Sequence, residues 1–185
     1  MNILAISGSL RRASINSALL RATRRLAPND IAIHLCNGLG ELPLFNPDLE
    51  SDPPPAVQSF RAQVAAADAL LIASPEYAHG LTGVIKNALD WLVSYEPFAF
   101  KAVAVLNASP RAHHADDALR EVLRTMNATL VESASITVPL LGSSLDEDGM
   151  VSSASVAGAL RDCLASLYDT VVLQQANHLA SFPLR

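Results

Sequence analysis

Apolar residues along this chain alternate between two patterns. Short, mostly apolar runs occur at Ile3-Leu4-Ala5-Ile6, Ile31 to Leu35, Ala69 to Ala73, Ala102 to Leu106 and Leu130 to Val138. Their length and continuity predict strands buried on both faces. Between them, apolar residues recur every three or four positions. These stripes are Leu19, Ala22 and Leu26; Val57, Phe60, Val64 and Ala67; Val84, Ile85, Ala88, Leu89 and Leu92; Leu119, Val122, Leu123 and Met126; and Val156, Leu160, Cys163, Leu164, Leu167 and Val171. That spacing predicts five helices, each with one inward face. Arg21, Arg24 and Arg25 suit the negative pole of the first, and Asp116 and Asp117 the positive end of the fourth. Strand and helix therefore alternate five times. This predicts a parallel sheet with helices on both faces, where right-handed crossovers place them. The Pro-rich stretch from Leu42 to Pro55 and the polar stretch from Gly142 to Ser152 read as loops.

Composition narrows the class. No linker interrupts the 185 residues, so 1–185 reads as a single domain. Half the residues are hydrophobic and 17% are charged, which excludes a disordered chain. With 13 basic and 18 acidic residues the net charge is −5, an unfavourable balance for binding nucleic acid. Cys36 and Cys163 lie in apolar surroundings without CxxC or Cys/His spacing. They read as buried free thiols of a reducing compartment. No apolar run approaches the roughly 18 residues that span a bilayer. Met1 to Ile6 lacks the basic start and the length of an export signal, so a cytoplasmic location is expected, with no membrane partner.

Ligands of an open parallel sheet bind beyond the carboxyl ends of its strands. The loops after the first, third and fourth strands are therefore the places to look. Ser7 to Ser17 supplies hydroxyls, an amide and Arg11 ahead of a helix start, which suits a phosphate. It also suits an ordinary Ser or Asn helix cap. It matches neither the GxGxxG of a dinucleotide turn nor the GxxxxGK[ST] of a P-loop. Ser74 to Trp91 places the flat rings of Tyr77 and His79 at a strand end, with Gly80 and Gly83 permitting close approach. A planar ligand with a hydrogen-bonding rim fits there. The alternative has Glu76 capping the following helix, Tyr77 packing, and His79 in solvent. In the third loop, Asn107 to His114, the neighbouring His113 and His114 read as solvated. Sequence neighbours diverge and no third ligand is evident, so no metal is expected. No catalytic triad or carboxylate pair stands out, so no catalytic residue is assigned.

Gly8-Ser9-Leu10-Arg11-Arg12-Ala13-Ser14-Ile15-Asn16 and the run from Pro75-Glu76-Tyr77 to Lys86-Asn87-Ala88-Leu89-Asp90-Trp91 resemble the NADPH-dependent FMN reductase family. Its patterns are roughly GSxRxxSxN and PEYNxxxxGxLKNAxDW, and the likeness runs from Met1 to about Leu173. The resemblance implies a flavodoxin-like three-layer α/β/α sandwich with a five-stranded parallel sheet in the order 2-1-3-4-5. It implies non-covalent FMN, NADPH or NADH as electron donor, and a flavin, quinone or similar small molecule as acceptor. Hydride would pass through flavin N5. By position, Ser9, Arg11, Asn16 and Ser17 would hold the FMN phosphate. Pro75, Glu76, Tyr77 and Ala78 would line the ring, largely through main-chain groups, and Ser109 would sit beside it. The chain departs from the family at Ala78, where Asn is usual, and in the third loop, where glycines are usual. Those departures keep a cofactor-free interaction protein in play, and a flavin-binding redox carrier or sensor that does not turn over is a separate alternative, which the mild net charge of −5 disfavours. Relatives form dimers and tetramers, so a homodimer or homotetramer is implied. Trp91, Leu92, Val93, Tyr95 and Phe98 offer either that interface or core closure. Arg111, near the expected pocket mouth, suits either solvent or the 2′-phosphate of NADPH.

Overall fold

The computed structural model describes residues 1–181; the last part of the expected domain, 182–185, lies outside the described residues. The buried runs form β1 (Asn2–Ser7), β2 (Ala32–Leu35), β3 (Ala69–Ala73) and β4 (Ala102–Asn107), paired in parallel in the order β2-β1-β3-β4. Every residue of β3 and β4 is buried, as continuous Ala, Leu, Ile and Val require in a strand covered on both faces. The helices that cover them are α1 (Ile15–Leu26), α2 (Pro55–Ala66), α3 (Gly83–Asp90), α4 (His113–Thr125), α5 (Glu147–Ser152) and α6 (Ala154–Ser181). One core layer joins α1 and α6 to one face of the sheet through Leu19, Leu20, Leu160, Leu164 and Leu167. The other joins α2, α3 and α4 to the opposite face through Val57, Phe60, Ile85, Leu89 and Leu123. This is the flavodoxin-like arrangement, with the expected strand order 2-1-3-4-5.

Three expectations need correcting. The run from Leu130 to Val138 is two short strands, β5 (Thr129–Leu130) and β6 (Ile136–Thr137), both paired with β4. Between them Glu132–Ala134 coils into a helical turn. The interruption is tolerated because the Ser135 hydroxyl accepts the Val105 N–H at 3.1 Å, so the central strand keeps its ladder bond. Arg120 and Arg124 of α4 each hold the Glu132 carboxylate at 2.7 Å. Secondly, the polar stretch from Gly142 to Ser152 contains α5. Asp146 caps this helix through the Gly149 N–H, and Met150 is buried beneath it. Arg24 and Arg25 sit in the last turn of α1 as expected, and Arg21 and Arg25 also pair with Glu147 and Asp148 of α5. Thirdly, His113 and His114 are the first residues of α4 and not part of a loop.

The apolar residues after α3 close the core. Trp91, Leu92 and Phe98 are buried, Tyr95 is half-buried, and only Val93 of the group is exposed. The Trp91 indole N–H donates to the Pro43 carbonyl at 2.8 Å, and the Asn87 side chain bonds both Pro43 and Phe45 main chain. Two residues of the second motif thus anchor the long connection between β2 and α2. Among the described residues no helix is long and apolar enough to cross a membrane.

Candidate functional site

The carboxyl ends of β1, β3 and β4 open onto a cleft of about 280 Å3. Its first wall starts at Gly8, whose N–H donates to the Ala73 carbonyl at 2.8 Å and whose carbonyl accepts the Thr82 hydroxyl at 2.7 Å. A Cβ on Gly8 would stand 2.2 Å from the Ser74 hydroxyl oxygen and 2.7 Å from its Cβ, so only glycine lets the two loops meet. The chain then swings out through the exposed residues Leu10, Arg11, Arg12 and Ala13 and re-enters at Ser14. Ser14 is the N-cap of α1, accepting the Ser17 N–H at 3.3 Å. The N–H groups of Ile15 and Asn16 precede the first intrahelical bonds and sit at the positive end of the helix. The guanidinium groups of Arg11 and Arg12 have no partner among the described residues.

The second wall is a tight hairpin. Tyr77 and Gly80 exchange main-chain hydrogen bonds at 3.2 and 3.0 Å, which forces Ala78 and His79 into the turn with φ of 50° and 56°. Positive φ at both central residues is the geometry that matches strand twist in a two-residue turn. Pro75 and Glu76 lie at its base. One Glu76 oxygen accepts the Ala115 N–H of α4 at 3.0 Å, and the other meets His79 Nδ1 at 3.1 Å. These contacts, the Ala115 bond foremost, hold the Glu76 carboxyl below the usual carboxylate range. Glu76 therefore caps a helix, but it is α4 from across the site, and the following helix α3 is capped by Thr82. Neither Gly80 nor Gly83 is pressed by protein; an added Cβ would meet one atom at 3.8 Å or nothing.

The third wall is the β4–α4 loop, folded by Asn107. Its side chain accepts the Ser109 N–H at 2.9 Å and donates to the Ala112 carbonyl at 3.3 Å. These bonds curl the loop without the glycines usual there.

The cleft brings Asn16, Pro75, Glu76 and Ser109 together, joined by Ile15, Ser74, Asn107, Arg111 and Leu141. Of the other expected site residues, Ser9 and Arg11 lie on the flanking loop, outside the lining. Tyr77 and Ala78 stand exposed on the hairpin, and the Ser17 hydroxyl is bonded to that of Ser7 at 2.8 Å. Ser74 and Asn107 were missed, although each is a polar residue closing a buried strand, and that position is a usable signal. Leu141 could not have been found, because its place depends on the split of β5 and β6. The expectation that the adjacent histidines diverge also fails. The rings of His113 and His114 are 4.1 Å apart, and His79 meets His114 edge-on at 4.6 Å. Among the described residues no group of three or more His, Cys, Asp or Glu is disposed to hold a metal.

An FMN-sized anionic, planar ligand suits this donor set on two observations. Asn16 is 4% exposed and its side-chain oxygen is buried without any partner. An unpaired buried acceptor is costly, on the order of 1–3 kcal/mol, unless a ligand donor meets it. Close by, helix α1 and two unpaired arginines offer donors and positive charge for a phosphate.

Sheet order, loop placement and cleft together define a flavodoxin-like α/β protein with its site at the carboxyl edge of the sheet. Residues 1–140 match the NADPH-dependent FMN reductase family, and the chain belongs to it. FMN and NAD(P)H are that family's cofactors. Over 112 residues the chain is 46% identical to an NAD(P)H-dependent FMN reductase of Pseudomonas aeruginosa, covering 59% of this chain and 60% of that protein. It is 31% identical over 157 residues to a quinone reductase of Pseudomonas putida, covering 80% and 83%. Among solved structures it resembles FerB, an NAD(P)H:(acceptor) oxidoreductase of Paracoccus denitrificans. The TM-score is 0.81 at 27% identity, covering 92% of this chain and 96% of that one. With several curated relatives the match is shorter, spanning 60% of the Pseudomonas aeruginosa reductase and 56% of a probable NADPH:quinone oxidoreductase of rice.

Proposed function

We propose that this protein is a single-domain NAD(P)H-dependent FMN oxidoreductase that reduces a flavin, a quinone or a similar small acceptor. The observation that carries the reading is the cleft, which loops from three strand ends line together with Ile15 and Asn16 at the start of α1. Bound FMN supplies the hydride chemistry, accepting from NAD(P)H and delivering to the acceptor. The chain's residues do the rest. Arg11, Ser9, Asn16, Ser17 and the start of α1 hold the phosphate. Pro75, Glu76 and Ser109 position the ring, with main-chain groups of Tyr77 and Ala78 at its rim. The curled 107–112 loop and Leu141 confine the cleft on the other side. Among the described residues the N–H groups of Glu76 and Ala78 have no acceptor, which leaves them free to stabilise negative charge on a reduced ring. No side chain need act as acid or base for the hydride steps.

Titrating the purified protein with FMN and then adding NADPH anaerobically tests the reading. Tight binding followed by bleaching, and recovery of colour on adding a quinone, is the expected result. Binding without bleaching would mean a redox carrier or sensor, and no binding a cofactor-free interaction protein. The free thiols of Cys36 and Cys163 support a cytoplasmic setting. For self-association the support is narrower than Trp91 to Phe98 suggested. Of Trp91, Leu92, Val93, Tyr95 and Phe98 only Val93 is exposed, and Leu44, 83% exposed, adjoins the Pro43–Trp91 contact. A homodimer burying them would be seen by light scattering at twice the chain mass.

A further inference from the structure

We propose that Arg111 together with His79, His113 and His114 forms a subsite at the mouth of the cleft that selects aromatic acceptors carrying an acidic substituent. The inference rests on the reductase reading and adds the class of acceptor. Arg111 lines the cleft with Ser109 and Ala112, and its guanidinium has no partner among the described residues. Arg21, Arg25, Arg61, Arg120 and Arg124 are held in ion pairs, whereas Arg111 shares its unpaired state with Arg11 and Arg12 of the phosphate loop. An unpaired, always-charged donor fork beside the flavin site is placed to receive a carboxylate, sulfonate or enolate.

The three histidines give this charge an aromatic setting. Two elements far apart in sequence deliver them: the 77–80 hairpin brings His79, and the first turn of α4 brings His113 and His114, with the ring contacts given above. Glu76 meets His79 at Nδ1, and the other ring nitrogen, Nε2, has no partner among the described residues, on a side chain 78% exposed. The exposed Tyr77 adds another flat face. Ala112, at the N-cap of α4, offers no side-chain cap, and the Glu76 carboxylate caps that helix end instead, through the Ala115 N–H. The Glu76 carboxylate beside His79 offsets part of the Arg111 charge, and the other carboxylates nearby are paired or further off. Glu76 is already committed to the Ala115 N–H and to His79, and Asp116 is paired with Arg120 at 2.7 Å. Asp117 is exposed, one helical turn beyond the histidines.

The same charge could in principle meet the 2′-phosphate of NADPH. The position favours the acceptor. Arg111 borders the cleft itself, within reach of a substituent on a reacting ring, whereas the 2′-phosphate sits on the adenosine, two riboses and a pyrophosphate away from the nicotinamide.

The test compares a naphthoquinone sulfonate with menadione, a neutral naphthoquinone, in the FMN-loaded protein with NADH as donor. The expected ratio of kcat/KM favours the sulfonate, and Arg111→Ala lowers that ratio about tenfold, the value of one partly exposed charge-assisted bond. A His79→Gln, His114→Gln double variant lowers it too. Independently of turnover, anthraquinone sulfonate added to the protein without FMN shifts the ring NMR signals of His79 and His114, and Arg111→Ala weakens that binding. Equal turnover of both quinones, with no histidine shift, overturns the subsite and leaves the reductase reading standing. A change in the NADPH-to-NADH preference of Arg111→Ala with the quinone ratio unmoved overturns it as well. If neither quinone is reduced, the reductase reading falls, and the subsite as an acceptor site falls with it.

Discussion

Two residues of the site carry measurable consequences by themselves. Ala78 occupies a left-handed backbone position that its hairpin imposes, and a Cβ makes that conformation unfavourable by roughly 1–2 kcal/mol. Asparagine, usual here in the family, adopts it far more readily because its short side chain can bond locally. Ala78→Asn is therefore expected to stabilise the protein by about 0.5–1 kcal/mol. In a domain of this size that raises Tm by about 1–4 °C, readable by calorimetry. An unchanged or lower Tm would mean that the turn relaxes around alanine without strain. Arg11 is the second case. Exposed and unpaired beside the start of α1, it contributes nothing visible to the fold. Arg11→Ala should leave Tm unchanged and weaken FMN binding roughly tenfold, since one charge-assisted bond to phosphate is worth about 1.5–3 kcal/mol before exposure is discounted. An unaltered Kd from flavin-fluorescence titration would place Arg11 away from the phosphate.

At the scale of elements, α5 is the least independent part of the structure. Six residues cannot hold a helix alone, and this one is fastened by Met150 in the core and by the pairs of Glu147 and Asp148 with Arg21 and Arg25. The bond from Arg21, then that from Arg25, lowers the Glu147 carboxyl below its ordinary value. A depressed carboxyl contributes stability above its unfolded value, about 4.3, and loses it as pH falls through the lower folded value. Amide exchange in α5 should therefore rise as the solution is acidified below about pH 4, ahead of exchange in β1, β3 and β4. Glu147→Gln should produce the same local loosening at neutral pH, costing about 0.5–1 kcal/mol because the pairs are partly solvated. Simultaneous opening of α5 and the central strands would show that the ion pairs do not set the order. Leu141, a few residues ahead of α5, lines the cleft, so this fastening bears on one of its walls.

The whole molecule buries its reactive groups as well as its apolar ones. Burial pushes the Cys163 thiol up to about 12 and that of the half-buried Cys36 to about 11, leaving little thiolate in either. Labelling of Cys163 by a disulfide reagent is expected to track global unfolding, coinciding with the fluorescence change of the buried Trp91. Cys36 should label first, and fast labelling of both thiols would show that α6 opens on its own. The strand order and the two helical layers were legible because continuous runs such as Ala69 to Ala73 and stripes such as Leu160, Leu164 and Leu167 repeat at the periods the backbone imposes. The loops that form the cleft were legible too, since a parallel sheet directs ligands to its carboxyl edge. Local sequence could not settle contacts between residues distant along the chain. Ser135 repairs the β4 ladder and so permits β5 and β6 to separate, where the apolar run alone read as one strand. Glu147 finds its arginines more than a hundred residues earlier, which turns a polar stretch into α5. Glu76 caps α4 and not α3, and His79 meets His114 only because the hairpin and α4 face each other across the cleft. Periodic burial is a property of each segment and is written in its residues. Polar pairing across the sheet depends on which segments the packing brings together, and that was decided by the tertiary structure.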